Sequence, residues 1–159
     1  MATLEDFKVF MEKVSFEAGL APLVPSEDGL LQLSAGEIEL VMQFIPSAGK
    51  IFIYSEIGYL PENAPSSIYR RLLTDQAGGI RTGGGCFAII EATGNLIYQR
   101  LYDFAPSEPA AFAQMLADIL DFTQEWQNNL ASMLNGEPAE TESTASMESP
   151  LNDLMQIRI

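Results

Sequence analysis

Apolar residues recur at intervals of three and four along the first part of the chain, behind a threonine that can cap a helix. Gly19 stands where such a helix would end, and the apolar positions are Leu4, Phe7, Phe10, Met11 and Val14. This spacing places apolar side chains along one side of a helix, and threonine and glycine are favoured at its two ends. The sequence therefore predicts an amphipathic helix over residues 3–18.

The next segments have the patterns of β-strands. A loop rich in proline, acidic residues and glycine leads to a short apolar run at residues 30–33. Two longer runs, 37–45 and 50–59, are rich in β-branched and aromatic residues and are separated by Pro46-Ser47-Ala48-Gly49. A connection of this length is typical of a hairpin. We therefore predict a short strand followed by two paired antiparallel strands.

A second, short helix is predicted after Pro61 and Pro65, which interrupt the strand pattern. Ser66 or Ser67 can cap it, and apolar residues lie along one side until about Gln76. The glycines that follow, ending in Gly83-Gly84-Gly85, are dense enough to allow a close approach of two backbone segments or a bend in a strand.

Two strands and a long helix complete the predicted fold. Residues 86–92 and 96–104 flank a Thr-Gly-Asn turn, and a helix with a broad apolar face starts at Ser107, with Glu108 and Pro109 in its first turn. The chain therefore predicts an α+β fold of order α-β-β-β-α-β-β-α, in which helices pack on a twisted antiparallel sheet.

The composition changes near residue 135. Residues 1–134 provide enough apolar side chains for one packed domain. Residues 135–150 are rich in glycine, proline, glutamate, serine and threonine and have too little apolar surface to offset the entropy of ordering. We expect residues 135–159 to form a flexible acidic tail with an apolar end.

Charge and residue types exclude several classes of function. Eight basic and 22 acidic residues give a net charge of −14, which repels nucleic acid and anionic membrane surfaces. The chain has no histidine and a single cysteine, Cys86, in an apolar run, so common metal sites and histidine-dependent triads are absent. We expect a cytoplasmic protein that is not an enzyme and needs no cofactor or metal.

Two groups of residues are candidate polar sites. Gly83-Gly84-Gly85 and Arg81 resemble an anion-binding loop, but the segment lacks the lysine of a phosphate loop and leads into a strand, so a structural turn is the preferred interpretation. Glu37 and Glu39 lie on one side of a strand, where paired acids most often interact only with solvent.

The order of elements and several local motifs resemble the class I type III secretion chaperones, the Tir-chaperone-like family. The similarity covers about residues 3–134. The most specific motif is Leu72-Leu73 followed by Gly83-Gly84-Gly85 and the strand from Phe87 to Ile90, and further support comes from Phe7, Phe10, Gly19-Leu20, Ile51-Phe52-Ile53-Tyr54 and Leu60-Pro61.

The resemblance implies a homodimer that binds the N-terminal region of secreted effector proteins and keeps it extended and competent for secretion. The secretion ATPase is a further partner of such a chaperone. A groove for the effector would map onto Phe7, Phe10, Met11, Val14, Met42, Phe44 and Ile53. The dimer interface would map onto Ile68, Leu72, Leu73, Phe87 and Ile89.

The sequence leaves two alternative functions open. One is a regulatory adaptor that sequesters another protein of the secretion system, which only the identity of the bound partner distinguishes from a chaperone. The other is a small anion-binding domain built on Arg81 and the glycine-rich turn.

Overall fold

Three helices and a five-stranded antiparallel sheet form the structure, a computed structural model that describes residues 2–104 and 108–136. The strand order is β1-β2-β3-β5-β4, so that β1 and β4 lie at the two edges. The predicted order of elements is confirmed, with bounds α1 Leu4–Ala18, β1 Leu30–Ala35, β2 Ile38–Ile45, β3 Lys50–Tyr59, α2 Ser66–Asp75, β4 Cys86–Ile90, β5 Asn95–Asp103 and α3 Pro109–Leu134.

Capping residues fix both ends of α1. The Thr3 hydroxyl accepts a hydrogen bond from the Asp6 N–H, and the Asp6 carboxylate accepts one from the Thr3 N–H at 2.8 Å. Hydrogen bonds from Thr3 lower the pKa of the Asp6 carboxyl. At the other end Gly19 adopts a left-handed conformation with φ of 65°, which glycine reaches without steric cost. The predicted helix is thus confirmed with its capping box.

The hydrophobic core lies between one side of the sheet and the helices α1 and α3. Phe7 of α1 stacks on Phe44 of β2 with ring centroids 4.9 Å apart. The ring of Phe112 in α3 packs edge-on against that of Phe10 in α1, with ring centroids 5.2 Å apart. Aromatic pairs in this geometry add to the free energy of apolar burial. None of the helices within residues 2–104 and 108–136 combines the length and apolar character that crossing a bilayer requires.

Several boundaries differ from the predictions: β1 extends to Ala35 instead of ending at residue 33, and β5 spans Asn95–Asp103 instead of 96–104. Two further differences have a local cause. The helix α2 begins at Ser66 and has Pro65 at its N-cap position, without a side-chain capping hydrogen bond, so neither predicted serine cap forms. Strand β4 ends at Ile90, because the Ile90 carbonyl accepts the N–H groups of Thr93 and Gly94 and thereby begins the turn. The predicted tail lies outside the described residues from position 137 onward.

The glycine-rich segment passes directly over a buried tyrosine. A methyl group on Gly85 would lie only 2.3 Å from ring atoms of Tyr98. The Tyr98 hydroxyl donates a 2.7 Å hydrogen bond to the Thr82 carbonyl, and the Thr82 hydroxyl donates one of 2.6 Å to the Gly85 carbonyl. The segment therefore needs glycine at position 85 because of the close approach to Tyr98.

We expect Gly85→Ala to destabilise the fold by about 3 kcal/mol or more, since neither the backbone nor the buried ring can move away easily. The matched control is Gly78→Ala, which has φ of 70° but no atom near the added methyl group and should cost about 1–2 kcal/mol. Urea denaturation measures both values. Equal losses in the free energy of unfolding in the two variants would contradict the close-approach explanation. The explanation also requires that Gly85→Ala destabilise the Tyr98→Ala variant less than it destabilises the unaltered chain.

Burial raises the pKa of the Tyr98 phenol, and the nearby charge of Arg100 opposes part of this effect. Because the folded pKa exceeds the unfolded pKa, the contribution to stability is complete below the unfolded value of about 10 and is lost as the pH rises through the folded value. The urea midpoint should therefore fall above about pH 10. Tyr98→Phe should flatten this fall, whereas Tyr59→Phe, at an exposed position, should not.

Candidate functional site

The seven residues predicted to line a groove do come together, but they lie inside the core. Their side chains are at most 8% exposed; they are Phe7, Phe10, Met11, Val14, Met42, Phe44 and Ile53. The helix α3 closes over them, with Phe112 against Phe10, and Phe104 packs on both Phe10 and Phe44. This corrects the prediction of an open groove lined by these side chains, because no solvent-facing surface remains on them.

Exposed apolar side chains lie instead on the outer side of α1 and in the segment that follows it. Phe16 is 84% exposed and Val24 is 76% exposed, and Val9 and Leu20 are also exposed. Sequence reasoning missed these residues, although a signal exists: Val9 and Phe16 lie one heptad apart and off the apolar stripe of the helix.

These side chains line two depressions that share one wall. The larger, of about 500 Å³, is lined by residues that include Phe16, Leu20 and Pro22. The smaller, of about 230 Å³, is lined by residues that include Val9, Pro22 and Val24. Because Glu12 and Pro22 belong to both, the two depressions adjoin along α1. We call their exposed apolar residues the α1 surface, comprising Val9, Phe16, Leu20, Pro22 and Val24.

The free edge of β1 lies beside the α1 surface. Leu30 donates its N–H to the Ser26 hydroxyl and accepts the Ser26 N–H, so its backbone groups point away from β2. Backbone direction alternates along a strand, and Gln32 and Ser34 therefore point outward as well. Ser26, to which Leu30 is hydrogen-bonded, is only two residues beyond Val24. The edge of β1 that has no strand partner among the described residues therefore begins next to the α1 surface.

The predicted dimer residues divide into buried and exposed sets. Ile68 and Leu72 are at most 5% exposed, and Phe87 is half-buried against Phe122 and Trp126 of α3. Two side chains face solvent, Leu73 at 64% and Ile89 at 47% exposure. The prediction that all five form a surface is corrected accordingly: the buried members hold α2 and β4 on the core.

Two further exposed apolar residues lie on the same part of the chain. Ile80 follows the turn after α2 and is 72% exposed, and Ile90 ends β4 at 36% exposure. We call Leu73, Ile80 and Ile89 the β4 surface; the side chain of Ile90, the next residue after Ile89 in the strand, points to the other side of the sheet. The backbone edge of β4 is partly covered, because the Phe87 N–H donates to the Gln76 side chain at 3.0 Å.

The anion-site alternative finds little support in the glycine-rich segment. The N–H groups of Gly83, Gly84 and Gly85 all donate to backbone carbonyls of the segment itself. Arg81 pairs with the buried Asp75 carboxylate at 3.0 Å, and Arg71 pairs with the same group at 2.7 Å. These donors are engaged within the chain, in agreement with a structural turn.

Metal ligands and reactive thiols add no further site in the described part of the chain. Within residues 2–104 and 108–136, no three acidic or cysteine side chains converge as metal ligands would. Cys86 is half-buried at the start of β4, with its sulfur 3.6 Å from the Gln99 amide nitrogen.

Comparison with protein families and solved structures gives a consistent assignment of the fold. Residues 10–127 match the model of the Tir chaperone protein (CesT) family. A chain of the ExsC-ExsE complex is similar, with a TM-score of 0.67 and 19% identity over 80% of this chain and 96% of the other. A chain of the HopA1-SchA chaperone-effector complex gives a TM-score of 0.64 and 13% identity over 77% and 93%.

A third similar structure contains the Yersinia pestis type III secretion chaperone SycH with a stable fragment of YscM2. Its TM-score is 0.61, with 14% identity over 74% of this chain and 97% of the other. At these identities the structures show a shared fold. No curated protein sequence matches the chain significantly.

Proposed function

The chain belongs to the Tir chaperone protein (CesT) family, and we therefore propose that it binds the N-terminal region of secreted effector proteins and keeps that region extended and competent for type III secretion. The similar structures include a chaperone-effector complex and a type III secretion chaperone with a bound fragment. The observation that carries the proposal is the outer edge of β1 beside the α1 surface, which pairs with no strand among the described residues.

This combination suits an extended polypeptide. The outward N–H and C=O groups of Gln32 and Ser34 can pair with a client strand, which gives affinity independent of sequence. Apolar side chains of the client can bury Phe16 and Val24, and each fully buried large side chain contributes about 1.5–3 kcal/mol. Backbone pairing and apolar burial together hold the client without folding it.

The negative net charge of the chain also suits the binding of an extended client. A net charge of −14 keeps the chaperone from associating nonspecifically while apolar side chains are exposed, and it attracts basic clients. This surface operates in the bacterial cytoplasm, where the client is held before export and the secretion ATPase is the expected next partner.

The proposed assembly is a homodimer formed through the β4 surface. Leu73, Ile80 and Ile89 are exposed apolar side chains at or near this edge, and clusters of such side chains commonly mark interfaces. Dimerisation would cover them and leave the α1 surfaces of both protomers available for one client chain.

Purification of the tagged protein from its native cells, with mass determination by light scattering, tests the function directly. We expect a complex of two copies with one secreted protein, protected from proteolysis in its N-terminal region. A transcription regulator or a second chaperone as the only stoichiometric partner would instead support the adaptor alternative. A monomer without a protein partner would overturn the proposal.

Phe16→Glu should weaken client binding about tenfold or more, because it removes an apolar contact worth about 1.5–3 kcal/mol. Val24→Glu should have a similar effect, while Leu134→Glu, at an exposed position on the far end of α3, serves as the control. Isothermal calorimetry with the purified client N-terminal region measures the affinities. Unchanged binding in both α1-surface variants would exclude this surface.

Leu73→Glu should yield a folded monomer, since the side chain is exposed in the protomer and is buried only in the proposed dimer. Leu72→Glu should instead unfold the chain, because position 72 is only 5% exposed and a buried unpaired charge is strongly destabilising. Light scattering and circular dichroism distinguish the two results. A Leu73→Glu variant that remains dimeric would place the interface elsewhere.

A further inference from the structure

Strand β5 is longer than its neighbour β4. All nine residues of β5 pair with β3, but β4 pairs only with Asn95–Gln99. Within residues 2–104 and 108–136, Arg100, Leu101 and Tyr102 therefore have no strand beside them on the β4 side. We call these residues the β5 overhang.

Hydrogen bonds on both sides show which way the overhang's backbone points. The Phe87 N–H bonds to Gln76, away from β5, so the alternate residue Cys86 faces Gln99, its partner in register. Leu101, two residues beyond Gln99, points to the same side. The Phe104 N–H donates to the Gly49 carbonyl next to β3, so the backbone groups of Phe104 point toward β3. Those of Leu101, three residues earlier, therefore point away from β3, in agreement with the pattern on the β4 side.

Leu101 is open to a new partner. Among the hydrogen bonds formed by residues 2–104 and 108–136, none involves the outward N–H or C=O of Leu101. Its side chain is 53% exposed on the side of the sheet opposite the helices. An exposed strand edge with unpaired backbone groups is a template for an added strand.

The neighbouring Arg100 side chain lies on the helix side of the sheet without an acidic partner. Among the described residues no carboxylate lies within 4.0 Å of its guanidinium group. The group lies under Gly83 and Gly84, and its Cζ atom is 5.8 Å from the Tyr102 ring centroid.

A depression of about 250 Å³ adjoins Arg100 between the glycine-rich segment and α3. Its other charged lining groups are Arg81, which is held by Asp75, and Asp118, whose carboxylate accepts a hydrogen bond from Gln114. Partly buried Phe122 supplies an apolar wall. Because Asp75 offsets the charge of Arg81, Arg100 is the lining cation that has no carboxylate within 4.0 Å among the described residues.

We propose that the β5 overhang accepts a short extended segment of the client that places an acidic side chain on Arg100 and an apolar side chain beside Leu101. Successive side chains of a strand point to opposite sides of a sheet, as the positions of Arg100 and Leu101 require. The inference rests on the proposed function, and it adds an acidic-apolar pair to the features that the chaperone selects in its clients.

The partner chemistry follows from charge complementarity. A guanidinium group binds a carboxylate through two parallel hydrogen bonds, and the backbone edge beside it fixes the direction of the chain. The remaining acidic surface repels anions, so the acidic side chain gains a favourable position only within reach of Arg100.

Two capped nine-residue peptides of alternating valine and threonine, one with a central aspartate and one with asparagine at that place, test the proposal. The full chain, labelled with ¹⁵N, is titrated with each peptide and followed by NMR. We expect the aspartate peptide to shift the amide signals of residues 99–103 and to bind about tenfold more tightly than the asparagine peptide, as a charge-assisted hydrogen-bonded pair implies.

Variants identify the groups responsible. Arg100→Gln should abolish the difference between the two peptides, whereas Arg70→Gln, which changes an exposed arginine on α2, should preserve it. Leu101→Pro removes the outward N–H without removing a bond to β3 and should weaken both peptides, whereas Leu101→Ala retains the donor and should weaken them less. Equal affinities of the aspartate and asparagine peptides for the unaltered chain would overturn the proposal.

Other outcomes separate this inference from the function on which it rests. Signal shifts confined to the β1 edge would overturn the overhang site while supporting the proposed client edge. Loss of the dimer in Arg100→Gln, with the peptides unaffected, would show that a second copy supplies the carboxylate and would also overturn the site.

Discussion

The burial of one face of α3 across the sheet and α1 is the interaction on which the other features depend. This helix contacts α1 through Phe112, the edge strand β4 through Trp126, and the bend of β3 at Gly58 through Leu130. It therefore connects both ends of the sheet in a single layer. Because apolar burial is the main favourable term in folding, side chains under this layer are unavailable for a partner, and the candidate binding surfaces lie outside it, at the periphery of the fold.

The periphery is asymmetric, and this asymmetry gives the two edges different roles. At β4 the Phe87 N–H is taken by Gln76 and the adjoining side chains Leu73 and Ile89 suit a second folded surface. At β1 the backbone beyond Leu30 is open and the adjacent apolar side chains form a long, shallow surface. The proposed dimer would use the first edge, and the proposed extended client would use the second.

Much of the fold could be predicted because its signals are local. Helix α1 is encoded by its capping box, its apolar stripe and Gly19, which all act within a few residues. The glycine-rich segment predicts a close approach of two backbone segments or a bend in a strand, whereas the structure places its backbone against the ring of Tyr98. The serine cap of α2 failed because Pro65 brings the chain into the helix without a side-chain acceptor, which shows that local signals can compete.

The sequence by itself determined the order of elements, the family and the apolar positions of each element. The tertiary structure alone decided which of those residues are covered. Leu72 and Leu73 are chemically identical neighbours, yet they are 5% and 64% exposed. The periodicity of a sequence identifies the apolar face of each element, but exposure depends on how distant elements pack, and that packing is set by contacts among residues far apart in the chain.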